Sequence, residues 1–474
     1  MNFDTARLAE HRRPFDRLER RVVQLFLKQP EAVPPKLLDG LRYVISFARL
    51  TKVWNVDGHE VDVQGLLSPF ARGLRDTLEP RLESATDLWD VVRILPELVQ
   101  LTRTARASLL DHLEIDRDSL ELEVTTRRLV VVSGGGGGAG YGYMGCYQEL
   151  DRHDLVPNLM VGTSVGSLTS LFRARRLHYD EAPIISATRT LTWSYVLRAL
   201  ESESRYGIPA ALRMYLRAAL GSLFQGRDGT PLWMSHLDIP TYIVATGITV
   251  DALKHDLGHY EHFLDRDLRR GSARERIRGV ARTMTVLREF MARPDALVEI
   301  ALGRADGTQD FDVLDASGFS MAVPGVLHYD VLRKDDRMCR MLDDLYADYG
   351  ITRLGEGGLT SNVPARVGWE SVAHGMHGVH QPFVLALDCF APNARRPLWV
   401  PLQQLVRAAN VDRDRRYADL YLPLPRTLSP MNVVPAIKDA QKATRWGRDT
   451  MKLHMPFITT MMRPIEVLMD QAPS

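Results

Sequence analysis

Leu129-Val130-Val131-Val132-Ser133-Gly134-Gly135-Gly136-Gly137-Gly138-Ala139-Gly140 is a short, almost wholly apolar, β-branched run that ends in glycines. Such a run reads as a buried parallel strand feeding a loop. A helical pattern follows from about Tyr143 to His153, and then a second apolar run, Asn158-Leu159-Met160-Val161, ends at Gly162. Strand, glycine loop, helix, strand is a βαβ unit. Working outward, further strands are readable at Thr241-Tyr242-Ile243-Val244-Ala245 and Phe383-Val384-Leu385-Ala386-Leu387, with helical patterns between them. The expected fold is therefore α/β: a three-layer α/β/α core with a mainly parallel sheet, over residues 126–395. Residues 1–125 read as a helical N-terminal region, from apolar spacings such as Leu18-Val22-Val23-Leu25-Phe26 and Leu88-Val91-Val92-Ile94-Leu95. Residues 396–474 read as a helical C-terminal region.

Composition narrows the function classes. The chain has 474 residues, 45% hydrophobic and 25% charged, which is ordinary for a globular protein with well-buried cores. Sixty basic against fifty-nine acidic residues give a formal net charge of +1, so no global field favours nucleic acid. The three cysteines, Cys146, Cys339 and Cys389, are odd in number and widely spaced, which argues for a reducing compartment over a disulfide framework. Met1 to Arg21 lacks the apolar stretch of a signal peptide, and no segment is apolar enough to span a bilayer. A cytoplasmic protein, peripheral at membranes at most, is expected.

Gly162-Thr163-Ser164-Val165-Gly166 is a G-x-S-x-G sequence at the junction of a strand and a helix. At such a junction a serine occupies a tight turn that exposes its hydroxyl, and small neighbours are needed to let the backbones pass. The helix beginning there favours an alkoxide or oxyanion at its positive end. The glycine loop Gly134 to Gly140 lets consecutive N–H groups point at one anion. For an acyl-transfer site that anion is the tetrahedral intermediate, where each donor contributes roughly 3 kcal/mol. Rival readings of the loop fit less well. A dinucleotide site would use Gly135, Gly137 and Gly140 but needs an acidic residue after the next strand, where Gly162-Thr163-Ser164 stands. A Walker loop needs Lys-Ser/Thr where Tyr141-Gly142 stands, and a plain linker does not sit between a buried strand and a helix.

A third segment, Gly355-Glu356-Gly357-Gly358-Leu359-Thr360-Ser361-Asn362-Val363-Pro364, presents one carboxylate in a turn. Together these segments resemble the patatin-like phospholipase family: a glycine-rich oxyanion loop, a G-x-S-x-G elbow, and a distant D-G-G/A turn followed by N-x-P. Ala245-Thr246-Gly247, Asp315-Ala316-Ser317 and Val323-Pro324-Gly325 are similar to that family's ancillary segments. The resemblance spans about residues 127–390. It implies a serine lipid-acyl hydrolase using a Ser–carboxylate dyad without histidine, with Ser164 as nucleophile and Glu356 as its partner. The oxyanion donors fall on the N–H groups of Gly136 and Gly137, and Gly135, Gly138, Gly140, Gly162, Gly166, Gly357 and Gly358 are the motif glycines. The implied substrate is a lipid or phospholipid ester, with peripheral membrane contact and no nucleic acid; no cofactor and no metal follow from the scheme.

Two residues depart from the family pattern. Ala139 stands where the family has Arg or Lys, and Glu356 where it has Asp. The extra methylene moves the carboxylate by roughly an ångström unless the turn retreats, enough to cost orders of magnitude in rate. Either Glu356 works with an adjusted backbone, or the protein is a weak or inactive relative kept for binding lipid. A Ser–His–acid α/β-hydrolase is a further alternative, with His454 or the His374-x-x-His377-x-x-His380 cluster supplying the base. That cluster and His255-x3-His259-x2-His262 read as surface features rather than metal sites. The arginine-rich segment Asp265 to Arg293, with its stripe Ile277, Val280, Met284 and Leu287, reads as a solvated helix packed on the core, with a lipid-headgroup contact as the alternative. The methionine-rich end, Met451 to Met469, reads as core, with a lid or membrane-facing helix as the alternative, and Pro456 and Pro464 argue against one straight helix.

Overall fold

The computed structural model describes residues 3–190, 192–199, 204–208, 210–226, 228–249, 289, 292–393 and 399–467. The stripe from Ile277 to Leu287, the His255/His259/His262 cluster, and Leu468 and Met469 lie outside the described residues. The chain divides into two compact units, residues 1–129, 369–384 and 453–474 in one, and 130–368 and 385–452 in the other.

The first unit is built on helices Phe3–Lys28, Pro35–Ala48, Gln64–Ser84, Leu95–His112 and Arg117–Thr125. The apolar faces of the last four meet in a core that includes Tyr43, Phe47, Leu67, Leu109 and Leu120. The expectation of an all-helical N-terminal region needs one correction: Lys52–Trp54 and Glu60–Asp62 pair as an antiparallel hairpin. Strands of three residues carry too little alternation to register in a periodicity. A second correction concerns His380, which is fully buried rather than at the surface. Its Nε2 lies 3.0 Å from Glu60 Oε1 and its Nδ1 3.3 Å from Glu123 Oε2, so two carboxylates take the place of water. Met455, Ile458 and Met461, on helix Met455–Met462, are buried as the core reading of the methionine-rich end expects, with Pro456 in that helix's first turn.

Glu19 in this unit is fully buried and accepts from Arg42 Nε at 3.1 Å, from Arg49 Nη1 at 2.8 Å, and from Arg127 Nη2. Burial alone would raise its pKa, but the three guanidiniums outweigh that and hold the carboxyl well below its usual range. Removing it strands buried cations. Glu19→Ala should therefore lower the unfolding free energy by about 3–5 kcal/mol, read by denaturant titration.

The main sheet carries the candidate site. Its strands, numbered in chain order, are β1 (Arg128–Ser133), β2 (Leu159–Thr163), β3 (Thr241–Ile248), β4 (Leu297–Leu302), β5 (Arg353–Gly355), β6 (Pro382–Asp388) and β7 (Leu420–Pro423). They lie in the order β5-β3-β2-β1-β6-β7, with β4 also paired to β3. The pairs β1–β2, β2–β3 and β6–β7 are parallel, while β4 and β5 run antiparallel to β3. The architecture is thus mixed α/β, a mostly parallel central sheet flanked by helices. The flanking helices include α1 (Tyr143–Asp151), α2 (Val165–Ala174), α3 (Ala182–Thr190), α4 (Leu216–Leu220), α5 (Val313–Ser320) and α6 (Ile437–Lys452). Val130, Val131, Val132, Leu159, Met160 and Val161 are all wholly buried, as two-sided cover of a parallel strand requires. β3 runs on through Ile248, past the Thr241 to Ala245 run read from the sequence, so Ala245-Thr246-Gly247 lies inside the strand. The chain beyond residue 396 is not all helix either, since Leu420–Pro423 joins the sheet beside β6. Among the described residues no helix is long and apolar enough to cross a membrane.

Candidate active site

Strand register brings the serine and the carboxylate together. β4 pairs with β3 from Ile243 to Ile248, so β2, which pairs with Thr241 to Val244, and β5, which pairs with Thr246 to Ile248, both occupy the opposite edge of β3. Strands β2 and β5 meet end to end there because they run in opposite senses. Thr163 is opposite Val244 and Gly355 is opposite Thr246, so the chain leaves both strands next to Ala245. The next residues are Ser164 and Glu356.

Ser164 sits at φ 54° and ψ −129°, between β2 and α2. Among the described residues it and Asp154 are the non-glycine residues with positive φ. Conformations of this kind cost about 1–3 kcal/mol and persist only where the surroundings hold them. Here Ser164 N–H donates to Ser320 Oγ at 2.8 Å, Ser320 Oγ donates to Val244 O at 2.5 Å, and Ser167 Oγ donates to Ser164 O at 2.5 Å. Gly166 permits the close approach: a Cβ on it would stand 2.0 Å from Ser133 O. Ser164→Gly should accordingly raise the unfolding free energy by about 1 kcal/mol while removing the hydroxyl, a gain readable by thermal denaturation.

Ser164 Oγ donates to Glu356 Oε2 at 3.2 Å, and both residues are 8% exposed. Gly358 N–H donates to the other carboxylate oxygen, Oε1, at 3.3 Å. The Glu356 backbone is pinned at both ends, its N–H donating to Ala322 O at 2.9 Å and its carbonyl accepting from Thr246 Oγ1 at 2.8 Å. Burial pushes the Glu356 carboxyl up to about 8, with the Gly358 N–H and the Ser164 hydroxyl opposing it only in part. The side chain thus reaches the serine despite its extra methylene, from a turn that the next residues hold in place.

The glycine loop approaches from β1. Gly134 N–H donates to Leu387 O, Gly135 N–H to Asn362 O and Gly138 N–H to Pro430 O, at 3.0, 3.0 and 2.9 Å. The N–H groups of Gly136 and Gly137 donate to no partner among the described residues. Gly137 has φ +55°, and a Cβ on it would stand 2.3 Å from Pro430 O, so a side chain would displace the loop. Ala139, in the position of the family's cation, is buried and donates its N–H to Gly136 O.

Four supporting residues escaped the sequence reading. Tyr143 OH donates to Gly134 O at 3.0 Å and accepts Cys389 N–H at 2.9 Å, tying the loop to the end of β6. Ser320, on α5, orients the serine turn as described. Asn410 Nδ2 donates to Gly358 O at 2.9 Å and its Oδ1 accepts Asn362 N–H at 3.0 Å. Asp414 accepts from Ser361 Oγ and pairs with Arg413 at 2.8 Å. Asn410 and Asp414 come from the C-terminal region, about which the sequence carried no motif. Next to the serine turn opens a partly enclosed apolar cleft, about 540 Å³ including the open space at its mouth, with Gly137, Val165 and Met321 among its walls.

No curated protein matches the chain. The family model described as Patatin-like phospholipase matches residues 130–369, just over half of its length. The chain belongs to the patatin-like phospholipase family, and with that membership goes a lipid-hydrolase type of activity.

Proposed function

We propose that the protein is a serine lipid-acyl hydrolase that cleaves fatty-acyl esters of lipids or phospholipids through the pair Ser164 and Glu356. The observation that carries this reading is the 3.2 Å hydrogen bond from the hydroxyl of a strained serine to a buried carboxylate. In the first half-reaction Ser164 Oγ attacks the ester carbonyl as its proton passes to Glu356. The carbonyl oxygen becomes an oxyanion, for which Gly136 and Gly137 offer unengaged N–H groups and α2 its positive end. The tetrahedral intermediate collapses, the C–O bond to the alcohol breaks, and Glu356 returns the proton to that alcohol. Water then attacks the acyl-enzyme, giving its proton to Glu356, and the fatty acid leaves as Ser164 is reprotonated. No cofactor enters this scheme. A three-layer α/β/α core over about residues 126–395 and a cytoplasmic protein that meets lipid surfaces peripherally complete the proposal.

A second reading rests on Ala139 and on the raised Glu356 pKa, which leaves the carboxyl largely protonated at neutral pH: a patatin-like protein that binds lipid and turns it over weakly or not at all. Incubating the purified protein with a phospholipid, a lysophospholipid and a triglyceride at pH 8.5, with fatty-acid release as readout, separates the two. Release that disappears with Ser164→Ala supports the hydrolase. Binding of the lipids without release supports the alternative.

Asn410 acts as a positioning residue in this scheme, through its hydrogen bonds to Gly358 O and Asn362 N–H on the segment that follows Glu356. Asn410→Ala should lower kcat about 10- to 100-fold with KM little changed, because a misplaced catalytic group costs rate before it costs affinity. An unchanged kcat in a folded variant would remove that role.

A further inference from the structure

The cleft next to the serine turn lies along helix α2, whose first residue follows the serine directly. Val165, Leu168, Thr169 and Phe172 line it at i, i+3, i+4 and i+7, the spacing of a single helix face. Ile184, Ala187 and Thr188 line it at i, i+3 and i+4 from α3, so the space is a cleft between two helices. At its near end stand Gly137 and Met321, the latter next to Ser320. Along α2, Phe172 is the lining residue farthest from the serine. Phe172 cannot yield easily: it packs edge-on against Phe224 with ring centroids 4.9 Å apart, and both rings are buried. Arg175 lies over the other ring, its Cζ 5.3 Å from the Phe224 centroid.

Resting on the hydrolase reading, we propose that this cleft is an acyl-chain subsite with Phe172 as its floor, and that it selects medium-length acyl chains. Its depth follows from the helix. Seven residues separate Val165 from Phe172, and at 1.5 Å per residue they span about 10 Å. An extended hydrocarbon advances about 1.3 Å per carbon from ordinary tetrahedral geometry, so about eight carbons reach from the serine end to Phe172. Each methylene that enters tightens binding about fourfold, equivalent to ~0.8 kcal/mol. A longer chain meets the ring and gains nothing, or must fold back toward solvent.

The test uses the full chain carrying Ser164→Ala, so that binding is read apart from turnover. Saturated fatty acids from four to sixteen carbons, each below its critical micelle concentration, are titrated by calorimetry. Affinity should rise about fourfold per methylene to about eight carbons and then level. Phe172→Ala should move that break toward longer chains, Phe172→Leu by less, and Leu168→Trp, at a half-buried wall position, toward shorter ones. A steady rise through sixteen carbons, a break that no variant moves, or fatty acids that do not bind would each overturn the subsite. Hydrolysis of p-nitrophenyl esters by the protein with Ser164 intact distinguishes the two claims. A binding break without hydrolysis would sink the hydrolase reading alone, whereas hydrolysis without chain-length dependence would sink the subsite alone.

Discussion

Ser164→Ala should fold as stably as the parent and hydrolyse lipid esters at least about 10⁴-fold more slowly, because the variant keeps the cavity and the glycine loop but has no oxygen to acylate. The stability part of this expectation follows from the backbone. Alanine retains the Cβ and hence the strain of φ 54°, and it loses only one hydrogen bond, to a carboxylate that is already poorly solvated. A folded Ser164→Ala protein with parental turnover would exclude Ser164 as nucleophile. The contrast with Ser164→Gly, more stable and equally inactive, would identify the strain as something kept for exposing the hydroxyl rather than for folding.

The second large effect concerns Glu356. In the proposed role of proton acceptor it must be ionised, and with its carboxyl pushed up to about 8 the active form would grow with pH. Below pH 8 kcat/KM should rise about tenfold per unit and then level, where an ordinary glutamate would have levelled by about pH 5. A flat profile between pH 6 and 8 would contradict this. Glu356→Gln should cut kcat by about 10³-fold or more and erase that dependence. The same shift has a consequence for stability. A carboxyl whose pKa is raised on folding is favoured in its protonated form, so the stability it contributes is present below its unfolded pKa, 4.5, and is lost as pH rises toward about 8. Between those values the parent should lose on the order of a few kcal/mol relative to Glu356→Gln, whose amide does not titrate.

Glu356→Asp tests whether the turn is built for the longer side chain. The two carboxylate oxygens are divided between Gly358 N–H and Ser164 Oγ, and the backbone is held by Ala322, Thr246 and, through Gly358 and Asn362, by Asn410. An aspartate on that fixed backbone would fall about an ångström short of the serine. We expect kcat to drop about 10- to 100-fold, although aspartate is the residue the rest of the family pattern carries. Equal or higher activity would mean that the turn moves freely.

What was legible beforehand follows from how each residue acts. Ser164 and the glycine loop work through local backbone geometry, and local geometry leaves its mark in neighbouring residue types: apolar strand, glycines, helix. Glu356 was legible only through the order of motifs, since a lone carboxylate in a turn has many uses. Asn410 and Asp414 left no such mark. They hydrogen-bond a turn far away in sequence, Asn410 at the turn's backbone and Asp414 at the Ser361 hydroxyl, and nothing in their own neighbourhood records where the sheet returns. Strand β7 was hidden for a related reason: Leu420 to Pro423 is four residues long, and its pairing with β6 supplies the order that its own pattern lacks. His380 was read as a surface residue because Gly375 and Gly378 beside it suggest a loop, whereas Glu60 and Glu123 make its burial tolerable.

The most direct test is whether Ser164 is chemically activated. The purified protein would be treated with a fluorophosphonate at pH 8.5 and the adduct located by peptide mass spectrometry, with Ser164→Ala as control. The account predicts a single adduct on the peptide containing Gly162-Thr163-Ser164, formed faster as pH rises toward 8 and absent from the control; a folded protein that stays unlabelled, or is labelled on another serine, would contradict it.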